Sequence, residues 1–155
     1  MSAWIELDRA SLLVHVPANV SLYDLERALA DEGLAIGVEP APASSVAAWL
    51  EAGAPGARNP WLDPADHLVA GFSARIKASG DAFVIQPAPR RAVGPDLGSV
   101  LTGLRGRFLT LDSVWFRVHR ADATRPKTAP FEGDDPALDA SETALFDRIE
   151  ESLRG

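Results

Sequence analysis

Residues 12–33 constrain this chain more than any other stretch, because their residue types spell a strand that runs directly into a capped helix. Residues 12–16 form a short apolar run rich in β-formers, interrupted by His15 and stopped by Pro17. Asn19 stands at the turn, where tolerance of positive φ is useful. Ser21 is an N-cap with Asp24 as its capping-box partner, and Val20 and Leu25 sit at staple spacing around it. Leu22, Leu25, Ala28 and Leu29 then make one apolar helix face, and Gly33 closes the helix as its C′ residue.

Residues 35–38 make a short strand ended by Glu39-Pro40, and Ser44 or Ser45 caps a second helix through Val46, Ala47, Ala48, Trp49 and Leu50 that stops at Gly53. Residues 54–64 hold three prolines and a glycine and read as loop. Residues 67–77 and 81–86 read as a strand pair joined by the turn 78–80, with Phe72, Ala74 and Ile76 alternating as in a half-buried strand. A loop over 87–95, a helix over 96–104 and a long strand over 108–118 follow, the strand carrying Leu109, Leu111, Trp115 and Phe116. Strand, helix, strand, helix, hairpin, helix, strand is the order of an α+β fold: a mixed, partly antiparallel sheet with helices packed on it.

Residues 1–120 are expected to form that domain, and 121–137, rich in Pro, Asp and Thr, a linker or arm. Residues 138–155 are expected to be a terminal helix, with Asp139 and Glu142 at its start and an apolar stripe of Leu145, Phe146, Ile149 and Leu153. That stripe docks on its own domain or on a partner, and the sequence leaves both open.

Composition narrows the function classes. With 155 residues the chain suffices for one domain with a real core, and 46% hydrophobic and 24% charged residues exclude disorder as the default. A net charge of -7, from 15 basic and 22 acidic side chains, argues against a nucleic-acid groove and gives no attraction to anionic lipid. The absence of cysteine removes disulfides, thiolate chemistry and Cys-ligated zinc. The N-terminus carries acid where a signal peptide needs base, and no apolar run approaches bilayer length, so a soluble cytoplasmic protein without a membrane partner is expected.

Local chemistry is sparse. His15, His67 and His119 are far apart and read as structural, so no metal is expected. Asp63 and Asp66 near His67 fit turn chemistry, and no serine lies in a GxSxG elbow. Arg90 and Arg91, just before Gly94-Pro95-Asp96, either bind a phosphate or carboxylate with the next helix N-terminus or shape the loop through Asp96; the second reading is favoured. Of Trp4, Trp49, Trp61 and Trp115, most are expected in the core, with Trp61 in the Pro-rich loop the contact candidate.

Several segments also carry a family pattern in order. Ile5-Glu6-Leu7-Asp8 resembles a strand closing a preceding subdomain, and Asp24-Leu25-Glu26 with Leu29 resembles a "dLe..L" helix. Gly33-Leu34, Gly37 and Glu39-Pro40 resemble "G…GheP", and Ser45-Val46-Ala47-Ala48-Trp49-Leu50 resembles "TvGGwi". Asp66-His67-Leu68-Val69 through Gly80 resembles an "eDlV…v.tp.G" hairpin, the run from Pro89 and Arg90 to Gly94-Pro95-Asp96-Leu97 resembles "pR.s.GpDl", and Gly103-Leu104-Arg105-Gly106 falls at "GsEG". No single match is strong, the run from Pro89 to Leu97 being the most specific; together in register they are. Residues 4–119 thus resemble the second subdomain of the FAD-binding fold of PCMH-type, vanillyl-alcohol-oxidase-type flavoenzymes, in the type 4 FAD-linked oxidase and transferase branch with glycolate oxidase subunits and alkylglycerone-phosphate synthase.

The resemblance implies FAD as cofactor and places Ser45, Val46, Ala47, Ala48, Arg90, Gly94, Pro95, Gly103 and Gly106 along the flavin-facing edge. It implies no catalytic residue here. Two departures bear on that edge. Ala47 and Ala48 stand where the family keeps two glycines for close backbone approach. Arg105 reverses the charge of an acid, and Arg107, Phe108 and Leu109 replace small residues. The family's Gly-rich pyrophosphate loop has no counterpart, and the chain starts where that first subdomain would end. The expectation is a stand-alone, degenerate half of a FAD-linked oxidase domain, non-catalytic alone, with FAD affinity lost or strongly weakened, acting through a protein partner or as a homo-oligomer. The alternative is one half of a split FAD-dependent oxidoreductase whose partner supplies the nucleotide loop. A small enzyme built on the Arg90-Arg91 loop is the third reading and lacks a base or nucleophile.

Overall fold

In the computed structural model, which describes residues 4–38, 43–54, 68–87, 106–122 and 140–155, the strand and capped helix that begin the sequence argument are both present. β1 (Glu6–Asp8) and β2 (Leu13–Pro17) form a hairpin that leads into α1 (Leu22–Asp31). Ser21 caps α1 by accepting the Asp24 N–H at 3.3 Å, and Gly33 ends it at φ +70°. β3 (Leu34–Ala35), α2 (Val46–Glu51), β4 (Val69–Ile76), β5 (Ala82–Ile85), β6 (Leu109–Arg117), β7 (His119–Arg120) and α3 (Ala140–Leu153) follow. The expected 96–104 helix and the 88–95 loop lie outside the described residues.

Five strands form one sheet in the order β1-β2-β6-β4-β5, and β3 pairs with β7 beside it. Every pairing among the described residues is antiparallel, the α+β arrangement expected from sequence. Alternation sends Val14, Val16, Phe72, Ala74, Val114 and Phe116 to one face, where they meet Leu22, Leu25 and Leu29 of α1 and Trp49 of α2 in a single core. Each fully buried leucine contributes roughly 1.5–3 kcal/mol of transfer free energy. The alternation of β6 changes phase once. Ser73 pairs with Ser113 but Ala74 with Leu111, so the extra residue in β6 lets Leu109 and Leu111 point inward with Val114 and Phe116.

Two expectations are refined by this packing. Trp115, one residue from buried Phe116, necessarily faces the other side of the sheet and is half-buried there, while Trp49 is the core tryptophan. The short strand expected over 35–38 ends at Ala35. The carboxylate of Glu26 on α1 accepts the next three N–H groups, from Ile36 at 3.2 Å, Gly37 at 2.9 Å and Val38 at 3.1 Å, so they are not available to a neighbouring strand. The β1–β2 turn is held by Asp8, whose carboxyl accepts the Ala10 and Ser11 N–H groups at 3.0 Å each. The Ser11 hydroxyl and N–H, followed by the Ala10 N–H, keep that carboxyl below the usual carboxylate range. The turn closes on Leu12 at φ +52°, a left-handed conformation that an L-residue adopts at a cost.

Candidate functional site

The segment Ser45, Val46, Ala47 and Ala48 opens α2 beside the start of α1, and the two helix entries are tied together. Ser21 and Ser45 form a bridge, Leu22 donates to the Ser44 carbonyl at 3.0 Å, and Val46 donates to the Val20 carbonyl at 2.8 Å. A helix leaves its first N–H groups without intrahelical partners, which is what makes such a terminus able to hold an anion. Here the first three are taken. Besides Val46, Ala47 donates to the Ala18 carbonyl at 2.8 Å and Ala48 to the Ser45 hydroxyl at 3.2 Å. Val46 is buried, Ala47 half-buried and only Ala48 exposed. The turn therefore offers side-chain methyls and no open backbone donor at these three positions.

Gly106, the other described member of the candidate edge, is buried at φ +65° against the far end of the same helix. A Cβ added there would lie 2.6 Å from the Glu51 carboxyl carbon and from one of its oxygens. Gly106 thus meets the Glu51 end of α2, and the space over the glycine holds the chain's own carboxylate. Arg90, Gly94, Pro95 and Gly103 lie outside the described residues, as do Arg91, Arg105, Trp61, Asp63, Asp66 and His67.

The residues after Gly106 have a use that the sequence did not announce. Phe108 is almost fully buried and meets the ring of Phe146 on α3 edge-to-face, with centroids 6.0 Å apart. Arg107 reaches the same helix through Asp147 at 2.6 Å and Glu150 at 3.3 Å, and its guanidinium lies 5.8 and 5.7 Å from the Phe108 and Phe146 ring centroids. Phe146, Ile149 and Leu153 pack on the core while Leu145 stays exposed, so α3 sits on its own domain with three of its four stripe residues. The signal was present in the sequence as bulky and charged side chains where the resemblance has small ones, but nothing local named α3 as their partner.

A polar constellation lies on the opposite face of the sheet. His15 Nε2 is 2.8 Å from the Ser113 hydroxyl, which is 2.6 Å from the Ser73 hydroxyl, and His15 Nδ1 is 3.2 Å from the Glu6 carboxylate. The imidazole also stacks on Trp115 with centroids 4.0 Å apart. These side chains sit on adjacent strands β1, β2, β6 and β4, so cross-strand register brings them together. Both ring nitrogens have protein partners, which is how a structural histidine is satisfied.

Two grooves, each of about 450 Å³, open on the described surface: one between Arg9, Leu12, Glu32 and Arg120, the other between Trp4, Ser21, Asp24 and Arg27. In the first, Arg9 is ion-paired with Glu32. Neither groove is lined by Ala47, Ala48 or Gly106. Among the described residues no helix is long and apolar enough to cross a membrane, and no three His, Asp or Glu side chains converge as a metal site.

Comparison with known proteins bears on this geometry through the fold alone. No family profile and no curated protein matches the sequence. Among solved structures, a crystal form of alkyldihydroxyacetonephosphate synthase superposes on 74% of this chain with a TM-score of 0.56 at 16% identity. A second crystal form superposes on 77% with a TM-score of 0.55 at 15% identity. The chain shares an α+β backbone fold with part of that synthase. It spans about a fifth of the synthase's own length, 20% and 22% in the two comparisons. At this identity the likeness extends to backbone architecture and not to side-chain chemistry.

Proposed function

We propose that this domain keeps the scaffold of the second FAD-linked oxidase subdomain without holding FAD by itself, and that it acts through protein contact or self-assembly. The observation that carries this reading is the closure of the described candidate edge by the chain's own groups. The α2 N–H groups of Val46, Ala47 and Ala48 are spent, the space over Gly106 holds Glu51, and Arg107 and Phe108 hold α3. Backbone donors already paired within the fold cannot be offered to a cofactor without losing bonds that support it. The described part of the edge therefore speaks against a flavin held by this chain alone.

The test is a visible absorption spectrum of the purified protein after incubation with excess FAD and desalting. A colourless protein is expected. A retained flavin band would overturn the reading and favour the alternative, in which FAD is held jointly with a protein that contributes the nucleotide loop. The fold comparison leaves room for that alternative, because about four fifths of the synthase length has no counterpart in this chain. Light scattering supplies the second measurement. Assembly or a bound partner is expected, and a monomer at every concentration counts against self-assembly.

A further inference from the structure

On the outer face of the sheet, Glu6, His15, Ser113 and Ser73 form a line across β1, β2, β6 and β4. Glu6 is directly opposite His15 and Ser73 directly opposite Ser113, and the imidazole closes the diagonal between the two pairs. What each group can donate or accept fixes the polarity of the line. A carboxylate only accepts, so Glu6 takes the proton on His15 Nδ1 at 3.2 Å. Nε2 is then an acceptor and takes the Ser113 hydroxyl proton at 2.8 Å. Ser113 Oγ, its own proton committed, accepts from Ser73 at 2.6 Å. Trp115, opposite His15 in the pairing, stacks on the ring at 7° to its plane and sets its orientation.

A structural histidine needs two partners of any kind, whereas an activated nucleophile needs a carboxylate, an imidazole and a hydroxyl in that order. The strand register delivers this order from residues up to 98 positions apart, beyond the reach of any local motif. Ser113 and Ser73 are half-buried and His15 keeps 26% of its side chain exposed, which leaves the hydroxyl open to a small molecule lying on the sheet. The substrate class follows from how charge is stabilised there. β2, β6 and β4 are the inner strands, and their N–H groups serve the ladders between them. With backbone donors committed, a developing oxyanion gains little, so the leaving group must be a good one. Aryl and enol esters meet that condition and amides do not.

We propose that Ser113 is an acyl-accepting nucleophile that cleaves small esters of acidic alcohols, with His15 as its base and Glu6 and Ser73 as positioning residues. The proposal is independent of the flavin and self-assembly readings. Ser113 Oγ bonds to the acyl carbon as its proton passes to His15 Nε2. The carbon–oxygen bond to the alcohol breaks, and the alcohol leaves with the proton from Nε2. Water then attacks the acyl carbon and gives a proton to Nε2. The bond to Ser113 breaks, the acid is released, and the proton returns to Oγ.

The test incubates the natural protein with a fluorophosphonate probe and, separately, follows hydrolysis of p-nitrophenyl acetate. Peptide mapping should place the phosphonyl group on Ser113. Ser113→Ala and His15→Gln should each lower the hydrolysis rate by at least about tenfold, and the double variant should lose no more than either alone, because the two act as one unit. Glu6→Gln presents an amide that donates to Nδ1 and moves the ring proton to Nε2. Its kcat should fall with KM unchanged, as should that of Ser73→Ala; an unchanged kcat removes the positioning role. A probe that leaves Ser113 unlabelled overturns the proposal, and it does so on the natural protein whether or not the variants fold. Hydrolysis that persists in Ser113→Ala and vanishes in His15→Gln overturns it too, since the imidazole then attacks the ester directly.

Discussion

α1 lays Leu22, Leu25 and Leu29 fully into the core and is capped by Ser21 and Gly33, whereas α3 buries no residue completely, packs Phe146, Ile149 and Leu153 only partly against the core and pairs with Arg107. The first helix is held by apolar area and local hydrogen bonds, neither of which responds strongly to salt. The second is held in part by ion pairs whose members are 30% to 63% exposed, and screening weakens such pairs.

The hardest test of that contrast is Leu25→Ala. A fully buried leucine on α1 should lose about 2–5 kcal/mol of unfolding free energy in urea titration, with the whole domain melting at a lower temperature. A loss under about 1 kcal/mol would mean that α1 is no better anchored than α3. Glu26→Ala comes next. It strips one carboxylate from three N–H groups at Ile36, Gly37 and Val38, and a loss of about 2–3 kcal/mol is expected. Amide exchange should show those three protons losing protection before the α1 amides do.

Arg107→Ala sharpens the other side. Global stability should fall by about 1 kcal/mol or less, as for partly exposed pairs, while α3 amides lose protection at least tenfold and α1 amides do not change. Raising salt in the natural protein should move α3 in the same direction. Equal protection of both helices across salt would remove the distinction. The smallest effect belongs to the β1–β2 turn. Leu12→Gly relieves a left-handed backbone that costs an L-residue roughly 1–2 kcal/mol and adds unfolded-chain freedom worth roughly 0.5–1 kcal/mol. A net stabilisation of about 0.5 kcal/mol is expected by thermal melting, and a net loss would show that the Leu12 side chain contributes packing its 40% exposure does not suggest.

What was readable in advance follows the same division. The α1 caps, a serine cap of α2 at Ser44 or Ser45, the β4–β5 hairpin and the inward set Phe72 and Ala74 were legible because each depends on neighbours within a few residues. The length of β6 was legible, but its change of phase near Asp112 was not, since a bulge is set by the partner strand. At the candidate edge, the sequence showed that Ala47, Ala48, Arg107 and Phe108 are unlike their family counterparts. It did not show what replaced the lost contacts. Glu51 over Gly106 and Asp147 against Arg107 join residues 40 or more positions apart, and no local pattern encodes such pairs.

The position of β6 between β2 and β4 has a consequence for how the chain is made. The hairpins β1–β2 and β4–β5 do not touch in the finished sheet, and each waits for the strand that starts at Leu109. A ribosome adding about 5–20 residues per second therefore releases two separate hairpins first, each with an open edge, and delivers the strand that joins them only late. Completion of the sheet depends on pairings remote in sequence, which slows folding relative to a fold built from neighbours. For some seconds of synthesis, β2 and β4 are edges in search of a strand, and protection of those edges is a task for whatever meets the nascent chain.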